Sequence, residues 1–397
     1  MTFVRPGSDC ACRSIAALLG AYAALCATPA PLLAQRARTH PVPAPATIIF
    51  RGTVVRQDST SPAPYSSVEL VEAHARHFAD DAGHFSFKVV AGRYHVRIRQ
   101  LGFAARDTVV DISERSPPPT LVAVMKAVTI RLTDVNVRAP QICTSPGVDS
   151  EATPILAEFM ADVRQNADRE LLLRRSYPFE YTVEDVQTST PVGSPDSARS
   201  VLDTLAYRSD ALMPYGRGRT IFTDRSDPRG AWERMRLPST LDFADSTFLA
   251  THCFDYGVAE SGNYDINFRP LATITAPDVE GTVTLDSLTF VVRSAVVRLT
   301  HPGNVAPGYG RLEVRTTYRE VLPRIALPDT ISSTQRYSTP APDSRPFIAT
   351  EVQSMRALRF VGRAPSGVSK EQLFGGPAKP GRALSARLHV SWQDPQP

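Results

Sequence analysis

What this chain has little of narrows it first. Of its 397 residues, 5 are cysteine and 2 are tryptophan. Cys10, Cys12 and Cys26 lie near the N-terminus, so the rest of the chain holds only Cys143 and Cys253. Two thiols alone make neither a disulfide-dense scaffold nor a structural zinc site. An excess of charge of one sign is also missing: 44 basic residues face 40 acidic ones, net +4, so there is no basic footprint for nucleic acid. Glycine, at 22, is outnumbered by 34 prolines, which cluster between periodic segments and favour many turns over long helices. Catalytic signatures are absent too. There is no G-x-S-x-G elbow, and Gly216-Arg217-Gly218-Arg219-Thr220 lacks the spacing and lysine of a phosphate loop. None of the 8 histidines has a glutamate three residues later.

The N-terminus carries the most specific local pattern. Arg5 and Arg13 supply positive charge, Ile15 to Leu25 is apolar, and small residues run from Ala27 to Ala34. This is the order of a secretory signal peptide over residues 1–34, cut after Ala34. An uncleaved anchor and a lipoprotein modified at Cys26 are the alternatives, though Leu25 is bulky for the latter. No membrane span is expected after cleavage. In an oxidising compartment Cys143 and Cys253 most simply pair; two separate buried thiols remain the other reading. A polar, proline-rich linker is expected over 35–46.

From Thr47 the pattern has period two. TIIFRGTVV, SSVELVEA, HFSFKV, GRYHVRIRQLGF, RDTVVDI, TLVAVM and TIRLTDVNV read as short strands with a turn about every ten residues. That predicts an antiparallel β-sandwich over 47–138. Tyr94, Val96 and Ile98 should face its core, with His95, Arg97 and Arg99 on the other side. Asp80-Asp81-Ala82-Gly83 reads as a tight turn, and Gly83 and Gly92 as turn glycines with positive φ.

The run Gly52, Pro64, Val68, Leu70, Asp80, Gly83, Phe85, Gly92, Tyr94, Val96, Gly102 and Phe103 resembles the carboxypeptidase regulatory-like domain of bacterial envelope proteins. The resemblance implies a transthyretin-like sandwich and covers about a quarter of the chain. Ala79 departs from it, standing where a threonine usually precedes the aspartate. The segment LTDVNVRAPQIC is similar to the tail that follows this module in TonB-dependent receptors, but the remaining chain is too short for their barrel.

A second unit, α+β, is expected over 150–337. EATPILAEFMADVRQNADRELLLRR has helical spacing with an acidic start and a basic end. YPFEYTVEDVQTS reads as a strand and residues 198–212 carry mixed strand signals, while GTVTLDSLTFVVRSAVVRLTH reads as a hairpin turning at Asp286-Ser287 and GYGRLEVRTTYREVLPRIALPDTIS as a long third antiparallel strand. An open sheet or half-barrel results, resembling uncharacterised envelope domains and lipoprotein carriers. Residues 338–397 are proline-rich and read as a poorly ordered tail with one last strand near RLHVSW.

Candidate chemistry is sparse. His74 and His77 would diverge in a strand. His84 and His95 read as solvated, although a cross-strand metal site with His74 is conceivable on paper. His252 beside Cys253 suggests a base and nucleophile, but neighbours in a strand diverge. Arg217, Arg219, Arg234 and Arg236, with Arg225 and Arg229, read first as a solvated basic loop and second as an anion-binding strip. Asp242, Asp245 and Asp255 suit turn and surface roles better than a carboxylate site. The expectation is therefore a non-enzymatic, exported binding or scaffolding protein of the periplasm or outer membrane, without cofactor. An envelope-protein or lipid-like partner is expected, the apolar ligand lying between helix and sheet. The alternatives are an envelope hydrolase and an accessory of a TonB-dependent system.

Overall fold

The computed structural model describes residues 46–374, apart from 58–60, 116–119, 129–141, 149–153, 211–219, 225–231, 236, 302–311 and 338–345. The described chain is mainly β. The first seven strands are β1 (Ile48–Arg56), β2 (Ser67–Leu70), β3 (Ala75–Phe78), β4 (His84–Val89), β5 (Gly92–Arg99), β6 (Arg106–Ile112) and β7 (Thr120–Met125). They form two sheets, β4-β1-β7 and β3-β2-β5-β6, whose inward residues make one core. Period-two alternation explains this directly. Tyr94, Val96 and Ile98 are buried while His95 and Arg99 are exposed. One pairing departs from the antiparallel expectation: β7 runs parallel to β1.

The turn before β4 forms as expected. Gly83 has φ +78°, and Asp80 Oδ1 accepts from the Ala82 and His84 amides at 3.0 and 2.7 Å. Gly92 corrects the expectation, because it opens β5 without positive φ. Gly52 is needed for close approach instead. A Cβ there would meet the Phe85 ring at 2.3 Å and the Leu121 carbonyl at 2.6 Å.

The long helix is α1 (Pro154–Ser176). It ends on Arg174 and Arg175 as expected, but its first turn has no acidic residue. Eleven strands follow: β8 (Phe179–Pro191), β9 (Arg199–Arg208), β10 (Ile221–Asp224), β11 (Trp232–Met235), β12 (His252–Val258), β13 (Tyr264–Pro270), β14 (Asp278–Leu285), β15 (Val292–Thr300), β16 (Glu313–Leu322), β17 (Ile325–Tyr337) and β18 (Phe347–Phe360), before a short β19 (Glu371–Leu373). A single-turn helix α2 (Ser246–Leu249) precedes β12. Apart from the β10–β11 hairpin, these strands form one ten-stranded antiparallel sheet, ordered β12-β13-β14-β15-β16-β17-β18-β8-β9 with β19 on β18. The β14–β15 turn is wider than the two residues expected, spanning 286–291.

The tail expectation is overturned over 347–373. β18 is a 14-residue strand seated between β17 and β8. Its alternation is inverted in polarity: Glu351 and Gln353 face inward and are buried, whereas Val352 is exposed. Sequence patterning therefore hides it. The RLHVSW strand lies outside the described residues.

α1 crosses one face of this sheet. Its Leu156, Phe159, Met160 and Val163 pack with Phe268, Val283, Ala295, Val297 and Val314. Farther along, Leu172 and Leu173 meet Phe179, Leu322, Ile325, Leu358 and Phe360. These side chains fill the helix–sheet interface where the apolar ligand was expected.

The sandwich docks on the same helix. Arg169, fully buried, donates to the Arg324 and Pro323 carbonyls at 2.9 and 3.2 Å, and its guanidinium lies 5.5 Å from the Phe78 ring centre. Arg324, in the β16–β17 turn, donates to the Leu101 and Thr289 carbonyls and stacks over Phe103 at 5.0 Å. Gly102, with φ +74°, is required here, since a Cβ would meet Arg324 Nη1 at 2.7 Å.

Candidate functional site

The face of β13–β16 turned away from α1 is polar because the strands alternate. Val283, Ala295, Val297 and Val314 point into the core, so Thr282, Thr284, Ser294, Val296, Arg298 and Arg315 point outward. Register aligns them in rows. Arg315 faces Val296, which faces Thr282 and then Asn267; Ser294 faces Thr284 and then Asp265. With Ala259, Ser261 and Asn263 of the β12–β13 turn, these residues line an open groove of ≈ 360 Å³.

The rows are tied by hydrogen bonds. Thr284 Oγ1 donates to Asp265 Oδ1 and Thr282 Oγ1 to Asn267 Oδ1, both at 2.7 Å. Asn267 Nδ2 donates to Asp255 Oδ1 at 2.7 Å, and Arg269 pairs with Asp255 at 2.8 Å. Arg298 is neutralised by Glu313 at 2.8 Å. Arg293 meets Asp286 at 3.0 Å and Glu320 at 3.5 Å. Partial burial would raise the Asp286 pKa. The Thr289 amide and hydroxyl, Arg293 and the Leu288 amide outweigh it and hold the carboxyl at about 2. Arg315 is exposed and has no acidic partner among the described residues.

The opposite face beyond α1 is acidic. Asp185 on β8 is fully buried between Asp203 and Gln353 in register. Gln187 donates to Asp185 at 3.1 Å, and Gln353 to Glu351 at 2.9 Å. Burial lifts the Asp185 pKa to about 6, with the Asp203 charge adding to it against the hydrogen bonds of Gln187, Glu351 and Gln353. Among the described residues no three of His, Cys, Asp and Glu are arranged to hold a metal ion.

Comparison with known proteins adds little. The sequence matches no protein-family model and no curated protein. Among solved structures, it is similar to a protein of unknown function from Bacteroides fragilis NCTC 9343, proposed to be membrane-associated. The match has 12% identity, 79% of this chain and 99% of that one, at a TM-score of 0.18. A score that low carries no structural inference. No helix among the described residues is long and apolar enough to cross a membrane, which says nothing of β-barrels.

Cys143 and Cys253 are bonded, with sulfurs 2.08 Å apart. The bond ties the segment before α1 to edge strand β12. His252 points the other way, into the core. It stacks on Phe248 at 4.0 Å, and its ring nitrogens lie 3.0 Å from the Phe248 carbonyl and 3.1 Å from that of Val279. A Cys–His nucleophile pair is thus excluded by geometry. Burial lowers the His252 pKa, against the pull of Asp278 and the two carbonyls.

His95 is bound to Glu72 and His84 lies 3.6 Å from Asp80. His74 sits in the β2–β3 turn with φ +48°, and His77 tilts over Phe87 at 5.0 Å. Asp245 caps α2 through the Thr247 and Phe248 amides, and Asp242 accepts from the Ser239 amide at 2.6 Å. Of the residues that carry the sequence resemblance, Phe85 and Tyr94 lie in the sandwich core, Tyr94 donating to the Val90 carbonyl at 2.9 Å. The Pro64 carbonyl accepts from Gln100 at 2.9 Å. Arg217, Arg219 and Arg236 lie outside the described residues, as does LTDVNVRA. Arg234 stands on β11 opposite Phe222, in a hairpin where a basic loop was expected. The groove went unnoticed in the sequence because its members come from four strands and only register brings them together.

Proposed function

We propose that this chain is an exported, non-enzymatic binding protein of the cell envelope, with the outward polar face of the long sheet as its binding surface. The observation that carries this reading is the groove on β13–β16. Its side chains are fixed in hydrogen-bonded rows on rigid strands, the arrangement that favours recognition over chemistry. The Cys143–Cys253 bond supports an oxidising compartment. The sandwich, held to α1 through Arg169 and to the β16–β17 turn through Arg324, acts as a platform that presents the sheet.

An apolar ligand between α1 and the sheet loses its support because that space is filled by core side chains. The test is fractionation of a Gram-negative host expressing the full chain, with N-terminal sequencing of the product. A mature protein starting at Gln35 in the periplasmic or membrane fraction is expected. Uncut protein in the cytoplasm, with Cys143 and Cys253 open to alkylation, would overturn the export reading.

A further inference from the structure

The groove is built for a particular charge. Of the three arginines lining it, Arg293 and Arg298 are already matched by Asp286, Glu320 and Glu313. Arg315, exposed at the β16 end of the groove, is the lining arginine without an acidic partner among the described residues. At the other end, three strands away, Asp265 and Asn267 each accept a threonine hydroxyl. Those threonine oxygens keep lone pairs free to accept from a ligand. Inter-strand spacing of about 4.8 Å makes the distance from β16 to β13 roughly 14 Å. That span suits two linked sugar-sized rings better than a lone ion. Nothing apolar dominates the floor: Val296 is the aliphatic side chain between Arg315 and Thr282.

We infer that the groove binds a small hydroxyl-rich ligand carrying one anionic group, with Arg315 holding the anion and the Thr282–Asn267 and Thr284–Asp265 rows receiving hydroxyls. This rests on the binding reading above and names its ligand class. A guanidinium forks onto either a carboxylate or a phosphate, so the anion's identity is left to the experiment.

Isothermal titration calorimetry of the purified mature protein uses three probes: cellobiouronate, glucose 6-phosphate and cellobiose. Saturable binding of at least one anionic probe, tenfold or more tighter than cellobiose, is the expected result. Binding of cellobiouronate over glucose 6-phosphate assigns a carboxylate, and the reverse order a phosphate. Arg315→Gln should weaken the preferred anion at least tenfold and bring it level with cellobiose, while Arg51→Gln on the sandwich changes nothing. Arg315 is exposed, so the variant should melt within a degree or two of the parent, and its melting curve checks that loss of binding is not loss of fold. Equal affinity for cellobiose and the anions, or wild-type binding by Arg315→Gln, overturns the assignment. Absence of heat with both anions in a protein recovered from the envelope also overturns it, while leaving the export reading intact.

Discussion

Single side chains here show how burial and hydrogen bonding push like groups in opposite directions. Asp185 and Asp286 are both carboxyls on or beside the long sheet. Asp185 is fully buried and its pKa rises to about 6, whereas four donors around Asp286 hold it at about 2. A carboxyl that titrates lower folded than unfolded stabilises the fold above its unfolded value, and that benefit disappears as pH falls through the folded one. For Asp286 the window runs from the ordinary 3.8 down to about 2. Solvent screening of this part-exposed carboxylate reduces what the shift is worth, so Asp286→Asn should cost about 1 kcal/mol at pH 7 and much less near pH 2. Urea melts of the two proteins at several pH values check this. A gap between them that stays constant down to pH 2 would mean that Asp286 acts through turn shape and not through charge.

At the scale of elements, the sequence disclosed what alternation can disclose. β1, β4, β5, β6, β7, β8 and β14–β17 all carry legible period-two or apolar segments, and α1 carries 3.6-residue spacing. What stayed hidden depends on partners distant in sequence. β18 puts Glu351 and Gln353 inward because β8 offers Asp185 and Gln187 opposite them. The outer groove depends on registers across four strands, and no one strand's pattern contains that information. Gly281 makes the same point. It reads as an ordinary strand residue, yet a Cβ there would meet the Val296 carbonyl at 2.0 Å and the Phe268 ring at 3.0 Å. Gly281→Ala should lose about 1–3 kcal/mol through overpacking. Gly257→Ala on β12 has nothing within 4 Å of its new methyl and should be near neutral, or slightly stabilising. Denaturant midpoints of the pair decide it, and equal midpoints would contradict the register of β14 against β15.

For the molecule as a whole, the question is whether sandwich and sheet unfold together. Several contacts cross between them. Arg324 bonds the Leu101 carbonyl and covers Phe103; Arg169 lies against Phe78; and Gln165, oriented with its side-chain oxygen toward the sandwich, accepts from the Gln100 and Leu101 amides at 3.1 Å. Farther along, Tyr65 and the Asp81 amide bond Ser366 in the loop before β19. Leu101 belongs to the same apolar cluster as Phe159 and Phe290, so the sheet's core extends into the sandwich. Arg169 is informative because burial lowers its pKa, the Arg324 and Arg76 charges adding to this against the pull of Glu320, and it makes no ion pair among the described residues. A desolvated cation of this kind is stable only while the Pro323 and Arg324 carbonyls and the Phe78 ring stay in place, which couples the two halves. Calorimetry of the intact chain should then show a single transition. Arg324→Ala leaves the Leu101 and Thr289 carbonyls without a donor at about 1–3 kcal/mol each, a loss confined to the junction. The variant should separate the sandwich transition from that of the sheet, whose ten strands and Cys143–Cys253 bond are untouched. Two transitions already present in the parent would mean that these contacts do not couple the halves, and the sandwich would then be a tethered module and not a platform for the sheet.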